Sequence, residues 1–489
     1  MDEASGAVRI SVYARYARPI RRSEGALLRS PPGPVGLSAR PSPIRRKYPY
    51  AVLLMRAGEY ADSLLRTTRR GSRSAPGSTA SDRHPEEMAI PKEVQVDAPE
   101  TLPQGSHQRL RVLHVVTRFL RGGSERRVLD FVRSFPEADH HLVLGPESDI
   151  ELARERIAPA SLSVLPSLIR RPAPVKDQAS FVKLVWMLRR NRYDLLVTHQ
   201  SKAGVLGRTA AWVAGDVPTI HSLSMANFGA GYPRWQDAVF RRLESRLERV
   251  TSAYVVVGHD LAARYRAIGV PETKLHVVRS GISLPGRVDA SWDRAAVCRK
   301  HALPVDRPLV LYLGSLESRK NVLDLVPFLE RLTQATDGIR PHLAVAGEGP
   351  LADRLLARVR AAGLTDDVSL LGYVSEPEEL VRAADALVLL SSAEGVPQVL
   401  VQAMAAGTPF VAYAVDGVRE LLDAGADGAV VPLGDVSAAS HQAALLMARG
   451  RRAPNVSIDL SSWSSDAIRE GHRRVIGSIL PGDLRPVGS

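Results

Sequence analysis

The stretch that decides the fold is ALVLLSSAEGVPQVLVQAMAAGTPFVAY, residues 386–413. Its first apolar run ends at Leu390, and a polar turn containing Glu394 and Gly395 follows. A helical pattern then begins near Pro397, a residue suited to a first helical turn. A second apolar run, 409–413, comes soon after the helix. A strand, a turn, a helix and a strand in this order predict two buried parallel strands joined by a crossover helix.

The same alternation of strand and helix occupies most of the chain from Arg111 onward. The predicted strands are 112–116, 141–144, 194–198, 218–221, 253–257, 308–314, 342–347, 368–372, 386–390, 409–413 and 430–432. The predicted helices are 124–134, 177–190, 202–213, 234–249, 260–268, 321–332, 351–361, 378–383, 399–406 and 462–479.

This order predicts an α/β protein with two doubly wound, Rossmann-like domains that face each other across a cleft. The pattern breaks at residues 283–288, so we place the domains at 108–285 and 286–460. A final helix, 461–480, follows a linker at 454–457, and a short tail, 481–489, ends the chain. Ligands of such sheets bind at the carboxyl ends of the strands, so we expect a ligand held by both domains.

The net charge of the 489-residue chain is +13, which by itself suggests a polyanionic partner. However, residues 1–87 carry 16 basic and 8 acidic residues, a net of +8, and the other 402 residues carry only +5. We therefore predict no nucleic-acid partner.

Residues 1–107 combine Arg runs with Pro, Ser and Gly clusters and have no sustained helical or strand period. They could be a basic tail that contacts a membrane or nucleic acid. A disordered tail or a mis-assigned translation start is favoured, and Met88 is the alternative start.

The chain has one cysteine, Cys298, so it cannot form an intramolecular disulfide, which suits a reducing, cytoplasmic compartment. No apolar run approaches the roughly 20 residues of a membrane-spanning helix. We find neither a metal-ligand cluster nor an Asp-x-Asp motif, and we expect no metal or other cofactor.

Four turns after predicted strands carry the candidate site. Gly122 and Gly123 open the helix after the first strand, where free amide groups attract anions. His199 follows the strand 194–198, although a hydrogen-bonded structural histidine is an equal alternative, and His221 is a second candidate.

The other two turns belong to the second domain. Arg319 and Lys320 precede the predicted helix 321–332, where basic residues oppose the helix dipole unless an anion binds there. Glu394 and Gly395 place a carboxylate beside free amides, which suits simultaneous binding of sugar hydroxyls and a phosphate; a helix-capping carboxylate is the alternative.

Together these motifs resemble the family 4 (group 1) glycosyltransferases, which have the two-domain GT-B fold. The resemblance covers roughly residues 110–480. It rests on Gly122–Glu125, 194–207, 243–282, Tyr312–Asn321, Gly347–Pro350, Leu371–Tyr373, Ser391–Pro409 and Asp416–Leu421.

The resemblance implies transfer of a sugar from a nucleotide-sugar, for which UDP is the expected nucleotide, with retention of configuration and without a metal. It assigns catalytic roles to His199 and Glu394. It implies that residues 461–480 cross back onto the N-terminal, acceptor-binding domain. The implied donor-binding residues are Gly122, Gly123, Ser315, Arg319, Lys320, Gly347, Glu348, Leu371, Tyr373, Gly395, Val396, Pro397 and Gln402.

Two positions depart from the family pattern. Gln402 stands where the family carries a second Glu that binds ribose hydroxyls, so charge assistance is lost there. Ser315 replaces an Arg that contacts the diphosphate in many members, and Arg319 could compensate. An inactive sugar-nucleotide-binding homologue therefore remains an alternative to the transferase. A nucleotide-sugar 2-epimerase is a second alternative, because it has the same architecture and would bind the same donor.

The acceptor is the least defined partner. Residues 169–177 with 198–207 are similar to members that act on lipid-linked glycans in surface-polysaccharide synthesis. The basic amphipathic helix predicted at 234–249 could lie on the inner face of a membrane, or it could pack its apolar stripe inward.

Overall fold

The computed structural model describes residues 109–229, 232–282, 293–336, 339–450 and 458–480. Several sequence-based predictions lie outside these ranges: the N-terminal tail 1–107 with Met88, the break at 283–288, the linker at 454–457 and the tail 481–489.

The first half is a seven-stranded parallel sheet covered by helices. Its strands are β1 (Arg111–Val116), β2 (Asp139–Leu144), β3 (Ser161–Val164), β4 (Leu195–His199), β5 (Thr219–Leu223), β6 (Ala253–Val256) and β7 (Leu275–Val277). Its helices are α1 (Gly123–Ser134), α2 (Ile150–Ile157), α3 (Pro174–Asn191), α4 (Ser201–Gly215), α5 (Arg234–Leu247) and α6 (His259–Arg266).

The second half is a six-stranded parallel sheet. Its strands are β8 (Leu309–Leu313), β9 (His342–Ala346), β10 (Val368–Gly372), β11 (Ala386–Leu389), β12 (Phe410–Tyr413) and β13 (Gly428–Val431). The helices that follow are α7 (Arg294–Lys300), α8 (Leu325–Ala335), α9 (Ala352–Ala361), α10 (Glu378–Ala383), α11 (Gln398–Ala406), α12 (Val418–Asp423), α13 (Val436–Arg449) and α14 (Ser465–Ile479).

The strand orders place one switch point in each sheet. The orders are β3-β2-β1-β4-β5-β6-β7 and β10-β9-β8-β11-β12-β13, so β1 lies beside β4 and β8 lies beside β11. The connections from these neighbouring strands leave toward opposite edges, which opens a crevice at their carboxyl ends. The predicted α/β class with two doubly wound sheets is confirmed.

Helix α14 covers the first sheet although it follows the second in sequence. Its residues Ile468, Val475 and Ile476 are buried in one apolar cluster with Phe131 of α1 and Val197 of β4. Each fully buried aliphatic side chain contributes about 1.5–3 kcal/mol relative to its exposed state. The last helix is therefore an integral part of the first half.

The segment before α8 differs from the predicted helix 321–332. Two 3-10 turns, Ser318–Lys320 and Val322–Asp324, come first, and the α-helix begins only at Leu325. Asn321 between the turns has a φ of 47°, a left-handed conformation that interrupts a right-handed helix. Arg319 and Lys320 therefore lie in the first 3-10 turn and not at the start of α8, so the predicted opposition to the α8 dipole is wrong.

Among the described residues, no helix combines the length and the apolar character needed to cross a membrane.

Candidate active site

The glycine turn after β1 leaves the start of α1 open. Gly122 is the N-cap with a φ of 122°, a value that residues with a Cβ rarely adopt. Both Gly122 and Gly123 are exposed, and no other heavy atom lies within 4 Å of where a Cβ would be on either residue. The Gly122 amide donates to Glu125 Oε2 at 3.2 Å, so an anion that binds at the start of this 12-residue helix would compete with that carboxylate.

A carboxylate and two cations meet at the switch point of the second sheet. Lys320 Nζ donates to Glu394 Oε1 at 2.5 Å, and Arg319 Nη1 lies 3.2 Å from the same oxygen. Arg319 also donates to the Ala393 carbonyl at 2.8 Å. The loops after β8 and β11 are therefore joined by the residues that the sequence singled out.

Glu394 is ionised in this cluster. Burial raises its pKa, but Lys320 and Arg319 outweigh that effect and hold the pKa of the carboxyl below its ordinary value. The cluster presents one fixed negative charge and two positive charges, which can bind hydroxyls and a diphosphate side by side.

Backbone contacts gather the turns after β8, β9 and β10. Gly347 donates to the Gly372 carbonyl at 2.7 Å, and a Cβ on Gly347 would overlap the carbonyl oxygen of Gly314. The Leu316 amide donates to the Glu348 carbonyl at 2.8 Å. This edge also holds the half-buried Ser315 and Leu371 and the half-exposed Tyr373.

Tyr373 is contacted from the first half of the chain. Arg121, next to the glycine turn, places its guanidinium carbon 5.3 Å from the Tyr373 ring centroid. Arg118 Nη2 lies 3.5 Å from Glu317 Oε1, which forms a second link across the cleft. The turn after β1 therefore faces the predicted donor-binding residues.

Gly395 lies against the backbone of the first half of the chain. A Cβ at this position would overlap the Ser224 carbonyl oxygen, so only glycine fits. Val396 packs against the apolar cluster of the first half that contains Val257, and Pro397 caps α11. Gln402 is half-buried on the same helix.

His199 is buried, whereas a histidine that exchanges protons with solvent would be exposed. It is only 2% exposed, and its Nε2 lies 3.3 Å from His114 Nδ1. Burial, and then the charge of Arg127, lower the pKa of His199 to about 3, so the ring is neutral. The candidate His221 is fully buried, and its Nδ1 lies 2.9 Å from Thr198 Oγ1.

Lys202, in the motif after His199, has a role that sequence reasoning missed. Its ammonium donates to the carbonyls of Ile169 and Arg171 at 2.7 and 2.6 Å and lies 2.5 Å from Asp177 Oδ1. Lys202 therefore fixes the loop before α3 against the start of α4. No local sequence pattern signals a contact with distant carbonyls.

A second missed feature is a clamp between the two halves, which we call the Glu420 clamp. Glu420 accepts hydrogen bonds from the Asp260 amide and from Arg279 Nη1, both at 2.7 Å. The Gly417 amide donates to Asp260 Oδ2 at 2.9 Å, and Arg264 pairs with Asp416. The motif Asp416–Leu421 contributed to the resemblance, but its sequence does not reveal this role.

Comparison with known proteins identifies the family. Residues 121–284 match the family described as Glycosyltransferase Family 4, and residues 293–456 match glycosyl transferases group 1. The chain belongs to the group 1 glycosyltransferases. The resemblance seen in the sequence is thereby confirmed.

Two relatives of this group 1 glycosyltransferase differ in the reaction for which they are named. An Escherichia coli UDP-Gal:alpha-D-GlcNAc-diphosphoundecaprenol alpha-1,3-galactosyltransferase is 23% identical, over 68% of this chain and 87% of the relative. A D-inositol 3-phosphate glycosyltransferase of Xylanimonas cellulosilytica is 31% identical, over 53% of this chain and 65% of that relative.

Two solved structures share the fold. Anabaena HepE in complex with UDP-glucose has a TM-score of 0.59 and 17% identity, and the match covers 76% of this chain and all of HepE (100%). WaaG, a glycosyltransferase involved in lipopolysaccharide biosynthesis, has a TM-score of 0.53 and 16% identity. That match covers 77% of this chain and 100% of WaaG. The predicted GT-B fold is confirmed.

Proposed function

We propose that this enzyme transfers a hexose from a UDP-sugar to an acceptor with retention of configuration and without a metal or other cofactor. The observation that carries the proposal is the cluster of Lys320, Arg319 and Glu394. The turn before α1 contacts neighbouring loops of the second half, through Arg118 with Glu317 and Arg121 with Tyr373. A carboxylate beside two cations matches a sugar linked to a diphosphate.

Glu394 would accept hydrogen bonds from hydroxyls of the donor sugar. Lys320 and Arg319 would contact the diphosphate. The amides of Gly395, in the turn before α11, and of Gly123, at the start of α1, would complete its surroundings. These groups stabilise the negative charge that develops on the leaving diphosphate.

The reaction then needs no strong protein base. The bond between the anomeric carbon and the phosphate oxygen breaks, and the acceptor oxygen bonds to that carbon on the same face. The acceptor proton passes to the departing phosphate oxygen. The neutral His199, with a pKa of about 3, suits a hydrogen-bonding role better than proton transfer.

UDP is the nucleotide that the relatives support. The Escherichia coli relative is named for UDP-Gal, and HepE was crystallised with UDP-glucose. Leu371 and the half-exposed Tyr373 lie at the strand edge where we place the base. Gln402 would bind the ribose.

We propose that the acceptor is a lipid-linked glycan in polysaccharide synthesis. Such an acceptor would place the enzyme at the cytoplasmic face of a membrane. The diphosphoundecaprenol acceptor named for the Escherichia coli relative supports it. Helix α3 also supports it, because Val175, Val182 and Trp186 are 83%, 58% and 44% exposed along one face. Lys183 lies 4.2 Å from the Trp186 ring centroid, so the face is both apolar and basic.

Helix α5, the sequence-based candidate for membrane contact, is less suited to it. Its Leu247 is buried, and Phe240 packs against the cluster around Phe228.

Co-sedimentation with anionic liposomes compares the two helices. Trp186→Ser should weaken binding, whereas Trp235→Ser on α5, with an equally exposed side chain, should not. An equal effect of the two substitutions would refute the assignment to α3.

Incubation of the full chain with a panel of nucleotide-sugars tests the main proposal. We expect nucleotide release that depends on a diphospholipid-linked glycan, a product with the donor's anomeric configuration, and no change when EDTA is added. A new sugar isomer without acceptor would indicate an epimerase, and binding without turnover would indicate an inactive homologue. Either result would overturn the proposal.

A further inference from the structure

Three histidines on the neighbouring strands β2, β1 and β4 form a buried chain of hydrogen bonds that ends at His199, the last residue of β4. His140 Nε2 lies 2.8 Å from the Phe135 carbonyl oxygen, and His140 Nδ1 lies 3.0 Å from His114 Nε2. His114 Nδ1 lies 3.3 Å from His199 Nε2. The chain ends there, because no described residue provides a hydrogen-bond partner for the buried His199 Nδ1.

The chemistry of these groups determines which ring nitrogen of each of the three histidines carries the proton. A carbonyl oxygen only accepts, so His140 must carry its proton on Nε2. A neutral imidazole has one donor and one acceptor nitrogen, so His140 Nδ1 accepts from His114 Nε2. By the same rule His114 Nδ1 accepts from His199 Nε2. The remaining nitrogen, His199 Nδ1, therefore holds a lone pair.

The surroundings keep all three rings neutral. Burial is the largest cause that lowers the pKa values of His114, His140 and His199. The buried guanidinium of Arg127 disfavours a second positive charge near His199; it donates to Ser222 Oγ and to the carbonyls of Val255 and Val278.

Packing also holds the rings in place. His114 and His199 are stacked, with centroids 5.6 Å apart and an interplanar angle of 20°. Phe131 of α1 meets the His114 ring edge-on at 5.3 Å. Because the rings cannot turn freely, the direction of the chain is maintained.

We propose that His114 and His140 are positioning residues that fix the tautomer of His199, so that its Nδ1 accepts a hydrogen bond from a hydroxyl of the bound sugar or acceptor. The identity of this ligand rests on the proposed function, whereas the tautomer does not. The lone pair on a neutral ring matches a hydroxyl donor and disfavours a second acceptor such as a phosphate oxygen.

Nitrogen NMR of the full chain with 15N-labelled histidine rings tests the tautomer directly. We expect the His199 signal, assigned by its loss in His199→Gln, to show a proton on Nε2 alone from pH 6 to 8. In His114→Phe the Nε2 proton loses its acceptor, so His199 should become a mixture of tautomers. His472→Phe is the matched control: His472 packs on the same Phe131 ring and is hydrogen-bonded to Ser134, but it does not belong to the row of three hydrogen-bonded histidines.

Kinetics and ligand titration complete the test. In His114→Phe, kcat should fall about tenfold, the effect of one lost hydrogen bond, with donor KM nearly unchanged. A saturating UDP-sugar with acceptor should shift the Nδ1 signal of the wild-type protein.

A proton on Nδ1 of wild-type His199 would overturn the proposal, even if His114→Phe fails to fold. An unshifted Nδ1 in an active enzyme would overturn the ligand role, whereas inactivity with every donor would count against the proposed function alone.

Discussion

Lys320 Nζ lies 2.5 Å from Glu394 Oε1, although the two residues are 74 positions apart in the chain. Each comes from a loop after one of the two strands that flank the switch point of the second sheet. This ion pair joins the cation that we propose for the diphosphate to the carboxylate that we propose for the sugar. We therefore expect donor binding to bring a phosphate oxygen to Lys320 while Glu394 accepts hydrogen bonds from sugar hydroxyls.

Replacing Glu394 should separate chemistry from nucleotide binding. In Glu394→Gln we expect transfer to fall roughly 100-fold or more, because the charged acceptor for the sugar hydroxyls is lost. UDP should bind at least as tightly as to the wild type, because Lys320 and Arg319 lose their competing carboxylate. Nucleotide release and calorimetric UDP binding measure the two effects.

The matched control is Glu379→Gln. Glu379 also accepts from a lysine, Lys300, at 2.8 Å, but on the exposed surface of the second half. It should leave both measurements unchanged. Wild-type turnover in Glu394→Gln would contradict the site assignment.

Removing the charge of Lys320 should weaken diphosphate binding. A hydrogen bond to a charged group contributes about 1.5–3 kcal/mol, so Lys320→Met should raise the Kd for UDP roughly 10- to 150-fold. The Kd for uridine, which has no phosphate, should not change. Lys300→Met serves as the control lysine, and equal UDP binding by Lys320→Met and the wild type would refute the role of Lys320.

Most of the fold could be predicted because buried parallel strands are continuous apolar runs. The strands that the sequence did not reveal, Ser161–Val164 and Leu275–Val277, lie at the two edges of the first sheet. Both are short and only partly buried, so their composition does not differ clearly from that of a loop.

The candidate site was predictable only in part. Turns after strands point to Gly122, Lys320 and Glu394, because the topology brings strand ends together. The contact between His114 and His199 depends on strand order and ring rotation over 85 positions, which no local pattern encodes. The left-handed Asn321 likewise breaks a helix that the apolar periodicity predicts.

A methyl group at Gly395 should force the two halves apart. Its Cβ would overlap the Ser224 carbonyl oxygen, and backbone atoms cannot move aside as a flexible side chain can. Gly395→Ala should therefore increase the radius of gyration measured by X-ray scattering and lower transfer at least tenfold. Gly477→Ala in α14 is the control, because no other heavy atom lies within 4 Å of its Cβ position. It should stabilise the protein by about 0.5–1 kcal/mol without loss of transfer.

Restoring the family carboxylate at residue 402 should strengthen donor binding. In Gln402→Glu a charge-assisted hydrogen bond replaces a neutral one at the proposed ribose contact, so the Kd for UDP should fall about tenfold. Inorganic pyrophosphate has no ribose, and its affinity should not rise. Gln398→Glu at the start of the same helix controls for added charge, and an equal gain from both substitutions would contradict the ribose assignment.

The Glu420 clamp should give the protein a defined sensitivity to acid. Burial raises the pKa of Glu420, but the Asp260 amide and Arg279 outweigh it and hold the pKa below its ordinary value of 4.5. A lowered pKa in the folded state means that this stabilisation is complete above the unfolded pKa and is lost as the pH falls through the folded value.

Urea unfolding at pH 7 and pH 3.5 should therefore show that Glu420→Gln costs about 1–3 kcal/mol at pH 7 and clearly less at pH 3.5. At the lower pH the carboxyl of the unfolded chain, with its ordinary pKa of 4.5, is already mostly protonated. Glu272, paired with Arg266 on the exposed surface, is the matched control. Glu272→Gln should change the free energy of unfolding at pH 7 much less than Glu420→Gln does, because solvent weakens exposed pairs. If Glu420→Gln cost the same free energy at both pH values, the stabilisation would not depend on the carboxylate charge, and the clamp would be explained by packing instead.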